Sequence, residues 1–554
     1  MKKIFSLVIC ILIISSMGLS ACGSQTTGKG KYLTIAWEDK GTWVRNFNPF
    51  SPTALGSTTI GIYEPLMIYN EATGKTVPWL ATESSWNADS TVLTFKIRQN
   101  VKWSDGKPFT ADDVAYTFNL LAKKSALQGP ASSAMGDIDS IKAVDSGTVE
   151  FHFPKVKTLD FYNLIAQFII PEHIWQGVAD PTTWTNDNPV GTGPFTEVSR
   201  FNTQIYTLDR NPYYWQKGKP AFQGIAFPAF ADNNAADLAL ANGDIDWAGL
   251  FAYDINDIFV AKDPQHFHYY FPTANYAWIL YINPTVKPFD NPEVRKAVSM
   301  GINRTMVVKN AENGIIPASD ATGLSSFYDT WKDPAAVKAG TWTDYNVDKA
   351  NQALDALGFT KGADGIRMDQ SGKPMNYDLI VPAGWTDLIS TAQIISTNMK
   401  DLGIKVNVVT PDENTAMDDV ARGKFQWAIS WSSGGTTPYE FYQSLMSSTT
   451  VVPVGEVAYQ NFSRYSNPEA DKLFSQFSST TDLAQQKQIA DQLQMLFVND
   501  APALPLFPAW IMDEYSTRNF SGFPDSNNNY APGNPNFFQQ DTPVIILDSL
   551  TPNK

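Results

Sequence analysis

Catalysis needs a nucleophile, a base or a metal held at fixed spacing, and this sequence offers few of these. It contains no HExxH, GxSxG or Walker A segment. Gly191-Thr192-Gly193-Pro194 has GxG but no third glycine, and Pro194 spoils a phosphate cradle. The histidines are His152, His173, His266 and His268. The i, i+2 spacing of His266 and His268 places both rings on one face of a strand. No carboxylate or cysteine ligand motif accompanies them, so they read as ordinary strand surface. Carboxylates are abundant, but no spacing singles out a glycosidase-type pair. No catalytic residue, metal or cofactor is therefore assigned, and the sequence reads as that of a non-enzyme. What it has in quantity is indole, with 16 Trp. Most should be core, yet a surplus in an exported protein also suits the stacking of sugar rings.

The elements that must position these groups alternate between strand and helix. Residues 33–37 (LTIAW) read as a buried strand, and 91–98 (TVLTFKIR) as a half-exposed one. Thr110 and Asp113 form a capping box before a helix whose face carries Val114, Phe118 and Leu121. Residues 276–283 (YAWILYIN) and 405–410 (KVNVVT) read as strands. Pro292 opens a helix, 347–357 form another stopped by Gly358, and 482–499 form a long amphipathic one. The fold class is α/β, and the length suggests two to four domains. Net charge is −15, and losing Lys2 and Lys3 with a leader would lower it by two. So acidic a chain, without basic runs, is a poor nucleic-acid binder.

The N-terminus is basic at Lys2-Lys3 and apolar over 4–14, then rich in small residues up to Cys22. That is the pattern of a secretory signal peptide, and the apolar run is shorter than the roughly 20 residues a bilayer requires. Leu19-Ser20-Ala21-Cys22 resembles the lipobox of bacterial lipoproteins. The resemblance implies cleavage after residue 21 and lipidation of Cys22. Cys10 would leave with the leader, so no disulfide is expected. Residues 22–31, rich in Gly, Ser and Thr, read as a flexible tether. Beyond 4–14 no stretch is long enough to cross a membrane, and the body is expected to be soluble.

Several further segments resemble the family 5 extracellular solute-binding proteins of ABC importers. They are Tyr63-Glu64-Pro65-Leu66, VKWSDGKPFTADDV (101–114), NPVGTGPF (188–195) and DRNPYYWQKGKP (209–220), followed by NGDID (242–246). LYINPTVKPFDNPEVRKAVSMGINR (280–304), NFSRYSNPEAD (461–471) and PALPLF (502–507) complete the set. Most are turn chemistry and scaffold rather than ligand contacts. The resemblance implies a bilobal periplasmic-binding-protein type II fold of the large cluster C type, with an inserted domain and a cleft that closes about a hinge. The implied first lobe comprises 32–66, 190–285 and 501–554, with an inserted subdomain over 67–189. The second lobe is 286–500. Further implications are a lipid-anchored monomer at the outer face of the cytoplasmic membrane or in the periplasm, and an ABC permease as partner.

The resemblance also bears on the ligand. Peptide-binding members follow a cleft tryptophan, three residues later, with an aspartate that pairs with the peptide's amine. Here the stretch Trp427–Tyr439 has Gly434 at that place. A buried ammonium without a partner is costly, so a neutral oligosaccharide of cello- or manno-type is expected, with glycine leaving room for something broad and flat. Sugars need aromatic platforms and polar neighbours. The candidates are Trp37, Trp43, Trp278, Trp385, Trp427 and Trp431, with Asn46, Asn283 and Tyr439 as polar partners. Trp43 and Trp431 are the foremost. An oligopeptide remains the alternative, with Glu38, Asp39 or Glu440 replacing the missing aspartate, and nickel or a haem-type ligand comes behind both.

Overall fold

The computed structural model describes residues 32–36, 42–51, 54–124, 126–127, 129–230, 233–250, 254–535 and 542–554. The leader, Cys22, the tether, Trp37, Glu38 and Asp39 lie outside the described residues.

The described strands build two large sheets, one per lobe. In the first lobe, Tyr32–Ala36 is central, parallel to Gly224–Pro228 on one side and Trp247–Ala248 on the other. Ile205–Arg210 and Phe195–Phe201 extend the first side; Glu514–Ser516 and Phe267–Tyr269 extend the second, giving seven strands. An inserted four-stranded antiparallel sheet uses Ala81–Trp86, Val92–Ile97, Thr148–His152 and Ser140–Asp145. The helix Ala111–Lys123 packs on it, burying Ala111, Val114, Phe118 and Leu121. This helix begins where the sequence says it should. Thr110 accepts from the Asp112 amide, and the Asp113 carboxylate accepts from the Thr110 amide.

The second lobe is built on a five-stranded sheet in the order Lys405–Val409, Asn376–Ile380, Trp427–Trp431, Thr273–Ile282, Leu504–Trp510. Helices Pro292–Met300, Val347–Ala356, Thr386–Asp401 and Leu483–Asp500 pack around it. The expected lobe boundaries need correcting here, because residues 273–285 and 501–510 were placed in the first lobe. Thr273–Ile282 is fully buried from Ile279 to Ile282 and half-buried only at Thr273, Tyr276 and Trp278, which suits a strand with neighbours on both edges and layers on both faces. Both neighbours, Trp427–Trp431 and Leu504–Trp510, belong to the second lobe's sheet. The Asn283-Pro284 turn ends that strand and does not mark a lobe boundary.

The chain crosses between the lobes just before Thr273 and just after Trp510. These two crossovers hold each other, with Tyr270 N donating to Asp513 O at 2.8 Å and Ile511 N donating to Pro272 O at 2.8 Å. Two short extended connections lying side by side make a two-stranded hinge. With this hinge and the inserted domain, the architecture is the bilobal type II arrangement.

Candidate functional site: an indole-lined cavity beside the hinge

Side chains alternate across a sheet, so Trp278, Leu280 and Ile282 share one face with Trp427, Ile429 and Trp431 of the paired strand. The helix Thr386–Asp401 covers this face with Leu388, Ala392, Ile395 and Met399. Its cover ends at its N-cap, Trp385. At that end of the helix three indoles cluster. Ring centroids lie 6.0 Å apart for Trp278–Trp385, 6.2 Å for Trp278–Trp431 and 6.2 Å for Trp385–Trp431. Trp431 is 38 % exposed, an unusual state for so large an apolar ring.

Beside the triad lies a cavity of about 300 Å³, lined among others by Tyr276, Trp278, Trp385, Trp510, Glu312 and Asp387. Trp510 is the last residue before the hinge and touches Phe271 of the other crossover, at 5.8 Å between centroids. Ile315, close to Glu312 in the chain, packs on the first lobe's apolar cluster around Phe259 and Phe267. The cavity therefore lies on the second lobe's side of the hinge, next to that lobe's contact with the first.

A polar network occupies the opposite face of Thr273–Ile282. Asn275 Nδ2 donates to Glu71 Oε1 at 2.9 Å, tying the second lobe's sheet to the hairpin Met67–Asn70/Lys75–Pro78. The Tyr328 hydroxyl lies 2.9 Å from the carbonyls of both Asn275 and Gly435 and accepts from the Gly435 amide at 3.1 Å. Glu440 accepts from Thr437 Oγ1 at 3.0 Å, and burial raises its pKa. Glu71 Oε2 accepts no hydrogen bond, and burial pushes this carboxyl up to about 8.

That shift has a consequence for stability. The folded chain keeps the Glu71 proton over a range where the unfolded chain has released it. The stability gained is full below the ordinary carboxylate range and is lost as pH rises through about 8. Glu64 and Glu312, also pushed by burial to about 8, act in the same sense. Glu71→Gln cannot ionise, so its thermal midpoint should gain on the wild type as pH climbs from about 6 to about 9. A constant difference between the two midpoints across that range would show that Glu71 does not titrate in the fold.

Of the residues the sequence singled out, Trp278, Trp385 and Trp431 come together as the triad. Trp43 and Trp427 are corrections. Trp43 is 5 % exposed in the first lobe's core, its Nε1 donating to the Phe227 carbonyl at 3.0 Å and its ring edge-on to Tyr206. Trp427 is 0 % exposed, stacked on Tyr377 at 5.9 Å and against Phe289. Asn46 and Asn283 are buried too. Asn46 holds the local turn through Ser51 Oγ and the Asn48 amide. Asn283 is held by the carbonyls of Gly423 and Phe425, at the far end of its strand from the hinge. Tyr439 packs on Phe474 and Phe477, and its hydroxyl accepts from Gln443.

Gly434 calls for a different explanation from the expected one. A Cβ there would lie 2.3 Å from Asn275 Oδ1 and 2.7 Å from the Asn275 carbonyl. The space beside this glycine is filled by Asn275, so it is not room for a ligand. Sequence reasoning missed Tyr276, Trp510, Glu312, Asp387, Glu71 and Asn275. Tyr276 was within reach, since it stands two residues from Trp278 and so on the same strand face. Glu312 and Glu71 are solitary carboxylates in connecting segments, and no spacing marks them.

Residues 75–452 match the model of bacterial extracellular solute-binding proteins, family 5. The chain is 25 % identical to the oligopeptide-binding protein OppA of Bacillus subtilis, over 93 % of this chain and 96 % of that one. A crystal structure of an oligopeptide ABC transporter's periplasmic oligopeptide-binding protein from Thermotoga maritima superposes with a TM-score of 0.87. It is 26 % identical and covers 95 % of this chain and 100 % of that one. The mannohexaose-bound structure of that Thermotoga protein superposes at 0.80, with 25 % identity over 95 % of this chain and 99 % of that one. Among the described residues no helix is long and apolar enough to cross a membrane. With its two lobes and hinge, the chain belongs to family 5 of the bacterial extracellular solute-binding proteins, the substrate-binding components of ABC transporters.

Proposed function

We propose that this protein captures an oligosaccharide between its lobes and presents it to an ABC permease. The observation that carries this reading is the triad of Trp278, Trp385 and Trp431 beside a cavity at the hinge. Indole faces stack on the C–H faces of sugar rings, and carboxyl groups at the same place accept from hydroxyls. The similar Thermotoga protein bound to mannohexaose supports the same ligand class. Ligand held by both lobes favours the closed form by its differential affinity, and that form is what a permease would engage.

Oligopeptide binding is the second reading, supported by the likeness to OppA and by one feature of the cleft. Glu71, buried, and Glu440, half-buried, lie close to Asn275 and could receive an amine in place of the missing aspartate. Calorimetric titration of the purified protein separates the two. The oligosaccharide reading expects micromolar or tighter binding of β-linked gluco- or manno-oligosaccharides, no turnover of them, and weak binding of tri- to hexapeptides. Binding of peptides alone would overturn it.

The lipid anchor belongs to the same proposal. It rests on the lipobox-like Leu19-Ser20-Ala21-Cys22, and two or more acyl chains suffice for stable anchoring. Cys22→Ala should appear in the soluble fraction of fractionated cells. Its retention on membranes would argue for an uncleaved leader helix instead.

A further inference from the structure

The cavity beside the triad carries two carboxyl groups, and its lining contains no Lys, Arg or His. Glu312 is 2 % exposed, and its Oε1 accepts no hydrogen bond. Asp387, in the first turn of Thr386–Asp401, shares the cavity. Burial pushes the Glu312 carboxyl up to about 8, with the Asp387 charge adding to the shift, and burial raises Asp387 as well. Holding an unpartnered carboxyl in so enclosed a place is costly unless something arrives to satisfy it. A sugar hydroxyl could donate to one oxygen, but it gives no reason for a second carboxyl group in the same indole-lined cavity.

A cation does give a reason. An ammonium between two carboxylates stabilises the ionised form of both. Indole faces within about 6 Å attract the same charge, more strongly where water is excluded. We infer that the Trp278/Trp385/Trp510 cavity receives a protonated primary amine of the ligand, held between Glu312 and Asp387. Resting on the cleft assigned above, this inference narrows the ligand to one bearing an amine. The amine could be the 2-amino group of a glucosamine-type oligosaccharide or the side chain of a lysine in a peptide.

The test compares matched ligands by calorimetry on the purified full chain at neutral pH. The ligands are a β-linked glucosamine tetramer, its fully N-acetylated form, a neutral cello-tetraose, and a lysine-containing peptide with its acetyl-lysine counterpart. A free-amine form should bind at least tenfold more tightly than its acetylated partner. In Glu312→Gln the ratio of free-amine to acetylated affinity should collapse towards unity. Asp387→Asn serves the same purpose should Glu312→Gln fail to fold. Acetylated and free-amine forms binding equally to the wild type would overturn the inference. So would a preference that survives both substitutions.

The two proposals also fail separately. Tight binding of cello-tetraose with no amine preference keeps the oligosaccharide reading and removes this one. An amine preference confined to the lysine peptide keeps this one and removes the oligosaccharide reading.

Discussion

Trp431→Ala should weaken ligand binding by about 30-fold or more, while the thermal midpoint stays close to that of the wild type. The indole is 38 % exposed, and its aromatic neighbours are the two other members of the triad. Truncation therefore removes little buried contact from the fold. The backbone it leaves behind is held independently, since the Trp431 carbonyl accepts from the Tyr281 hydroxyl at 2.9 Å and the strand pairs with Trp278 in register. A ligand ring stacked on that indole loses its platform, and truncating a central aromatic anchor typically costs about 2 kcal/mol or more. Trp427→Ala, four residues earlier on the same strand face, is the matched control. That ring is fully enclosed between Tyr377 and Phe289, so its loss should cost about 3–5 kcal/mol of stability. The surviving folded protein should bind ligand with unchanged affinity. Calorimetric affinities with denaturation midpoints for both variants decide the matter. Equal affinity of Trp431→Ala and wild type would remove the triad from the ligand site.

That pair also shows how far a sequence can be read. Period-two alternation places Trp427 and Trp431 on one face, and this much follows from the residues alone. What separates core from platform is where a covering helix stops. Trp385, the N-cap of Thr386–Asp401, marks that point, and only the packed structure shows it. Trp43 fails as a platform for a similar reason. Its position near a candidate strand was legible, but the nearby Tyr206 and Phe227, more than 160 residues on in the chain, were not. The two lobes were expected only through the family resemblance, and that expectation put Thr273–Ile282 on the other side of the boundary from the sheet it joins. A turn motif marks the end of a strand without saying which sheet the strand joins. Gly434 was read through what it lacked, whereas its cause is the side chain of Asn275, brought there by strand pairing. The local devices, Thr110 as N-cap and Pro292 at a first turn, were legible because each is decided within four residues.

Arg295→Met should destabilise the second lobe by about 3–5 kcal/mol without altering the ligand affinity of the folded fraction. Arg295 lies in the segment NPEVRKAVSMGINR, where sequence likeness marks scaffold without saying what the scaffold does. The structure supplies the reason. The side chain is 4 % exposed. Its Nε donates to the Ala501 carbonyl at 2.7 Å, Nη1 to the Phe289 carbonyl at 2.5 Å, and Nη2 to the Asp500 carbonyl. These acceptors stand at the approach to the helix Pro292–Met300, at the end of Leu483–Asp500, and just before the strand Leu504–Trp510. Ala501 has a left-handed backbone, φ 41°, so the helix ends in a conformation that disfavours alanine and needs outside support. One guanidinium thus joins a helix end, a helix start and the strand that continues into the hinge. Methionine matches the bulk but donates nothing, leaving three carbonyls to lose charge-assisted bonds at once. Lysine keeps the charge but lacks the planar fork, so Arg295→Lys should fall between wild type and methionine. Denaturant midpoints of the three proteins test the order. A lysine variant as stable as wild type would mean that charge suffices and the fork geometry is incidental. A methionine variant within about 1 kcal/mol of wild type would mean that the three carbonyls find other donors, and that the junction is held by apolar packing alone.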